Sequence, residues 1–208
     1  MTSFSDADRE RIRAELVDAG RELFARFGFE RTRIKDVTEA VGIGTSTFYQ
    51  FFDSKEELYV AVLIAERGRL DDRLKSAVAA AETPKDEVRA LLRTMFAEIR
   101  SNPLISRLIV EGDLRDLQEQ LTESERQSIA TSLPEDELPP AERWARMEAF
   151  RYDDPELIRG IFRSLVFVTR SQDALIGTLH VEEYEEVEAR LIETIVDGLF
   201  VDHGSQDL

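Results

Sequence analysis

The chain has 208 residues, 42% of them hydrophobic, with no cysteine and only two histidines, His180 and His203. That is enough apolar matter for a real core, but it excludes disulfides, thiolate nucleophiles and cysteine-zinc sites, and leaves metal or acid–base chemistry near neutral pH with little to draw on. The net charge is −16, and the acid is unevenly placed: residues 1–55 hold 9 Lys/Arg against 10 Asp/Glu, whereas residues 56–208 hold 18 against 33.

The pattern is helical almost throughout. Ile12, Leu16, Ala19, Leu23, Phe24 and Phe27 recur at three- and four-residue steps, the stripe of an amphipathic helix, and Gly28 stops it. A short helix is expected from about Ile34 to Val41 with Thr32 as its cap, then a break at Gly42 and Gly44, then a second short helix from about Thr45 to Phe51. Asp53 or Ser54 caps a long helix beginning near Lys55, with Leu58, Val62, Ala65 and Leu70 on one face. Thr83-Pro84 followed by Asp86 and Glu87 is a strong helix start, with proline in the first turn and acids at the positive end of the dipole; that helix runs to about Arg100.

Asn102-Pro103 opens the next helix, carrying Leu104, Ile105, Leu108 and Ile109, and Thr122 to Glu125 reads as a capping box. Leu133 to Pro140 reads as a loop, followed by a helix containing Trp144 and Met147. Pro155–Gln172 and Val181–Val201 are the last two helices, the latter with Tyr184, Val187, Leu191, Ile195 and Leu199 in near-regular four-residue steps. No apolar run approaches the roughly 18–20 residues of a membrane span. The polar stretch Met1 to Arg13 does not read as a signal peptide, so a cytoplasmic protein without a membrane partner is expected. The expected fold class is all-α.

Ile34–Val41, Gly42-Ile43-Gly44 and Thr45–Phe51 together meet the demands of a helix-turn-helix, in which the second helix must enter the major groove. Ile34, Val37, Val41, Ile43 and Phe48 are its inward positions, and Gly42 suits a left-handed turn. Gly44, Thr45, Ser46 and Thr47 present hydroxyls and backbone amides suited to phosphate oxygens. Gln50 can read an adenine edge with two hydrogen bonds, and Tyr49 can reach a phosphate or a thymine methyl.

The run Phe24, Gly28-Phe29, Thr32, Ile34, Val37, Val41-Gly42-Ile43-Gly44, Thr47-Phe48-Tyr49-Gln50-Phe51-Phe52 and Ser54-Lys55-Glu56-Glu57-Leu58 resembles the N-terminal domain of the tetracycline-repressor (TetR/AcrR) family over about 50 residues. The resemblance implies an all-helical homodimer with a three-helix DNA-binding domain and a helical C-terminal domain that binds a small-molecule effector and weakens operator affinity. It puts Thr32 and Lys55 at phosphate-contacting positions, Thr45, Ser46, Tyr49 and Gln50 on the DNA-facing side, and Phe48 and Phe52 in the core. Thr32, Arg33, Gly44, Thr45, Ser46, Tyr49, Gln50 and Lys55 make up the expected DNA-binding set. The family often has Lys-Gly at the positions of Thr45-Ser46 and His or Arg at that of Gln50. Residues 28–55 here balance Arg31, Arg33, Lys35 and Lys55 against Glu30, Asp36, Glu39 and Asp53. Binding should therefore lean on hydrogen bonds and helix termini more than on counterion release.

The expected organisation is a DNA-binding domain at 1–54 and an effector-binding and dimerisation domain at 55–208. Met95, Phe96, Arg107, Trp144 and Phe162 are candidates for the effector pocket. Ile161, Leu165, Val168, Leu191, Ile195 and Leu199 are candidates for a dimer interface built as a four-helix bundle. No catalytic set, cofactor or metal site stands out. The expected partners are double-stranded operator DNA, a second copy of the chain and an unidentified small molecule, and the expected role is a repressor released by that effector. The alternative is a helical ligand-binding or scaffold protein of the same fold that does not bind an operator. The strongly acidic surface suits a salt-rich cytoplasm, where high net charge maintains solubility.

Overall fold

The structure, a computed structural model, describes residues 5–107, 140–169 and 181–201, and the side chains of 166–169 and 181–184 lie outside that description. The expectations placed on Leu108, Ile109, Thr122 to Glu125, Leu133 to Pro139, His180, His203 and the side chains of Val168 and Tyr184 fall outside the described residues. The helices are α1 (Asp6–Phe27), α2 (Ile34–Val41), α3 (Thr45–Phe48), α4 (Lys55–Ala79), α5 (Pro84–Ser101), α6 (Pro103–Ser106), α7 (Ala141–Ala145), α8 (Pro155–Thr169) and α9 (Val181–Leu199). The fold is all-α. Among the described residues the one extended pairing is a single antiparallel bridge, Phe150 to Phe200.

The chain forms two compact units, Met1–Arg69 with Asn102–Leu133 and Leu70–Ser101 with Pro134–Leu208. This division does not coincide with the 54/55 boundary expected from the sequence. Leu58, Tyr59, Val60, Val62 and Leu63 of α4 pack with Ile12, Leu16, Phe24, Val37, Phe48 and Phe52 in one core, so the first unit takes in the start of α4. Gly20 lies where α1 meets α4. A Cβ there would stand 3.2 Å from Val62 Cγ2 and 3.3 Å from Leu58 Cδ2, so only glycine fits without displacing a neighbour.

Start signals in the sequence become hydrogen bonds. The Ser5 hydroxyl accepts from the Asp8 amide at 3.1 Å, and the Ser54 hydroxyl accepts from the Glu57 amide at 2.9 Å. The Thr83 hydroxyl does the same for Asp86 at 3.2 Å. Thr32 is not the cap of α2. It is buried, its hydroxyl donates to the Gly28 carbonyl at 2.8 Å, and Arg33 is the N-cap, its amide donating to Asp36 Oδ2 at 3.0 Å. Phe27 also departs from its expected place in the apolar stripe: it is 47% exposed, with the Arg26 guanidinium 5.0 Å from its ring centroid.

Among the described residues of the first unit, one charged side chain is buried. Glu66 of α4 accepts from Arg21 Nε at 2.6 Å, Arg69 Nη1 at 2.5 Å and Asn102 Nδ2 at 2.7 Å. Asn102 also caps α6, its Oδ1 accepting from the Leu104 amide at 3.1 Å. Burial pushes the Glu66 carboxyl up, but the hydrogen bonds from Asn102, Arg69 and Arg21 outweigh it and hold the group below its ordinary value.

In the second unit, Val88, Leu91, Leu92 and Phe96 of α5 pack with Trp144, Phe150, Ile158, Phe162, Ile192, Val196, Leu199 and Phe200. Trp144 stacks between Phe150 and Phe162, with centroids 5.8 and 5.5 Å away, and donates its indole N–H to Glu87 Oε2 at 2.8 Å. The helix of Trp144 ends at Ala145, short of Met147. The buried face of α9 is Ile192, Val196 and Leu199, of which only Leu199 belongs to the four-step series read from the sequence. Four residues advance an α-helix by about 400°, so a strict four-step series drifts round the helix, and Val187 and Leu191 end up exposed.

Candidate nucleic-acid interface

Two turns of positive φ set the path through α1, α2 and α3. Gly28 has φ 80° and ends α1, and Gly42 has φ 77° and ψ 28° and ends α2 in the left-handed region that glycine tolerates best. Gly42 passes its amide to the Glu39 carbonyl at 3.2 Å, and Ile43 passes its amide to the Thr38 carbonyl at 3.0 Å. Gly44 then stands at the N-cap of α3 in extended conformation, φ −82° and ψ 152°.

The α3 helix is shorter than the Thr45–Phe51 element expected. Tyr49 has ψ 1°, and the bonds that follow are single-turn ones, Gln50 N–H to Thr47 O at 3.0 Å and Phe51 N–H to Phe48 O at 2.9 Å. Regular helix therefore gives way to turns at the residues expected to read DNA. Phe48 and Phe52 are buried with ring centroids 5.8 Å apart. They anchor the inner face and leave Gly44, Thr45, Ser46, Tyr49 and Gln50 exposed on one outer surface. Tyr49 is 53% exposed, and its ring stands edge-on to Phe48 at 5.4 Å.

The remaining members of the set are placed differently. Arg33 is exposed at the start of α2. Thr32 turns its hydroxyl inward, so only its backbone faces the turn. Lys55 is half-buried: its ammonium donates to the Phe29 carbonyl at 3.0 Å and lies 4.0 Å from the Phe29 ring centroid. Phe29 packs in turn on Tyr59, with centroids 4.9 Å apart. Lys55 is thereby fixed at the N-terminal end of α4.

The five candidate pocket residues are divided between the two units. Phe96, Trp144 and Phe162 belong to the core of the second unit, with Met95 packed against it. Arg107 belongs to the first unit, where it donates to the Phe24 carbonyl at 3.4 Å and its guanidinium would meet a Cβ on Gly28 at 3.2 Å. A cation at the C-terminal end of α1 complements the helix dipole. Among the dimer candidates, Leu199 is in the core and not available to a partner. Ile161, Leu165 and Ile195 are half-buried against that core, and Leu191 is exposed.

Sequence reasoning missed Arg9 and Arg13 of α1, which reach the end of the recognition element. Nothing in their local spacing announced a contact across 41 and 38 residues.

Residues 16–62 match the family described as bacterial regulatory proteins, tetR family. Among curated relatives, the transcriptional repressor KstR2 of Rhodococcus jostii is 34% identical over 90 residues, 42% of this chain and 43% of the relative. The transcriptional activator FasR of Mycolicibacterium smegmatis is 29% identical over 105 residues, 50% of this chain and 48% of that protein. The chain thus spans less than half the length of these relatives in alignment. A solved TetR-family regulator from Pectobacterium atrosepticum superposes with a TM-score of 0.65 at 20% identity, covering 96% of this chain and 99% of that one, which shows a shared fold.

Proposed function

From the match of residues 16–62 to the tetR-family regulatory proteins, we propose that the protein is a cytoplasmic, homodimeric transcriptional regulator that binds a palindromic operator and is released from it by a small molecule. The observation that carries this reading is the outer face of the α3 element. Five polar or small residues, Gly44, Thr45, Ser46, Tyr49 and Gln50, are exposed together there, while Phe48 and Phe52 fix the opposite face in the core. Hydroxyls and amides position such an element on phosphates, and a glutamine side chain can select a base. Relatives include a repressor and an activator. Repression is supported by the release mechanism that the family implies: an effector that favours misplaced recognition elements must lower operator affinity by linkage. No helix among the described residues is long and apolar enough to cross a membrane.

Gln50→Ala and Tyr49→Ala should each weaken binding to a duplex selected from a random pool by about tenfold or more, with unchanged sedimentation. Electrophoretic mobility shift measures this, and parental affinity in both variants would remove α3 from the interface. The dimer reading is supported by the exposed Val187 and Leu191 on α9, 51% and 36% exposed, beside the half-buried Ile195. Paired recognition elements about 34 Å apart would then meet successive major grooves on one side of the DNA. Val187→Glu with Leu191→Glu, both on the exposed face, should give a folded monomer in sedimentation velocity. A dimer of parental stability would exclude this face.

A further inference from the structure

The recognition element is gripped from behind by the first helix. Arg9 and Arg13 stand one turn apart on α1, on the same face. Arg9 Nη2 donates to the backbone carbonyl of Gln50 at 3.0 Å, and Arg13 Nη1 donates to that of Phe51 at 3.2 Å. The same guanidinium groups lie over the neighbouring rings, Arg9 5.2 Å from the Phe51 centroid and Arg13 4.3 Å from that of Phe52. Each arginine therefore makes a charge-assisted hydrogen bond and a ring contact on adjacent residues, which fixes a plane and not merely a point.

The place of the grip matters. The α3 helix has four residues and stops at Phe48, so the carbonyls of Gln50 and Phe51 have no further helical turn of their own to accept from. Phe48 and Phe52 already anchor the element in the core. What the anchors leave open is the roll of the 49–51 backbone between them, where regular helix has ended. Base readout tolerates errors of only about 0.5 Å and 10–20° in the reading group. Arg9 holds the backbone of Gln50 itself.

We infer that Arg9 and Arg13 are positioning residues for sequence readout, setting the orientation of Tyr49 and Gln50 so that their loss relaxes discrimination between sequences more than attraction to DNA. The inference rests on the DNA-binding reading of α3 given above.

The test uses the full chain, a duplex it selects from a random pool, the same duplex altered at the base pair whose preference Gln50→Ala abolishes, and a scrambled duplex. Arg9→Met and Arg13→Met should each lose about tenfold in discrimination between the first two duplexes, while affinity for the scrambled duplex changes less than about threefold. Arg9→Lys and Arg13→Lys keep the charge and one donor but not the planar fork, so they should lose about threefold in discrimination with unchanged salt dependence. They also keep the measurement interpretable should a Met variant fold poorly.

Equal losses on all three duplexes in the Met variants, with a shallower salt slope and full recovery by Lys, would make the arginines phosphate contacts and overturn the inference. Unchanged discrimination in all four variants would overturn it as well. A parent chain that enriches no sequence removes the DNA-binding reading and the positioning role together. A parent that enriches a sequence with Arg9 and Arg13 dispensable removes only the latter.

Discussion

Phe48→Ala is expected to lower the unfolding free energy of the first unit by about 3–5 kcal/mol, the usual cost of truncating a buried phenylalanine. Phe48 is fully buried, it packs on Phe52, and it is the last helical residue before the turns that carry Tyr49 and Gln50. Its loss leaves a cavity directly beneath the recognition surface, so operator binding should fail with stability. Chemical denaturation followed by far-UV circular dichroism reads the first effect. Phe27→Ala is the internal comparison. Phe27 is expected from the sequence in the apolar stripe of α1 but is 47% exposed, so it should cost about 0.5 kcal/mol or less. Similar losses in the two variants would mean that the core of the first unit is not the one described.

The second large effect is expected at Glu66. Replacing it with glutamine leaves three donors around a neutral group and should cost about 2–3 kcal/mol. That is below the ~3–5 kcal/mol of breaking a fully buried pair, because Arg21 and Arg69 each keep 38% exposure and can rehydrate. The pH dependence has a definite sign. The folded-state pKa of Glu66 is lowered from an ordinary 4.5, so the stabilisation is fully present above about pH 4.5 and is lost as pH falls through the lower folded value. Parent and Glu66→Gln stabilities should therefore converge on acidification below pH 4.5 and stay apart above it. Denaturation midpoints measured between pH 3 and 7 check this, and a constant gap across that range would mean that the carboxylate charge contributes nothing.

Much of the first unit was legible in the residues because its signals are local. A hydroxyl immediately before a helix, as at Ser54, or a glycine closing a stripe, as at Gly28 and Gly42, acts through neighbours in the chain, and the structure shows those hydrogen bonds and positive φ values. The inward set Val37 and Phe48 followed from helical periodicity for the same reason. The misreadings share the opposite cause. Thr32 has the chemistry of a cap, but the turn closed by Gly28 draws its hydroxyl inward and leaves capping to its neighbour. Apolar spacing on α9 identified a helix but not which of two adjacent faces its partner α5 would cover. The choice of Ile192 and Val196 over Val187 and Leu191 is made by packing across the second unit. The same packing places the aromatic residues read as pocket candidates: Trp144 and Phe162 stack on each other within the core of the second unit. At the candidate interface, the outward residues were legible, whereas the grip of Arg9 and Arg13 depends on the start of α1 lying against residues 50–52.

The charge pattern ties these points to function. Residues 28–55 are balanced in charge on a chain of net charge −16. On the DNA-binding function proposed above, recognition must then come from a well-oriented surface of hydrogen-bonding groups more than from bulk attraction. The measurement that tests this most directly is selection of duplexes from a random pool by the full-length protein, with the affinity of the enriched site followed across salt concentration. The account predicts a two-fold symmetric site whose log affinity falls with log salt more gently than the slope near −6 to −9 of proteins neutralising many phosphates. Enrichment of no sequence, or binding that is sequence-independent and collapses with salt, would contradict it.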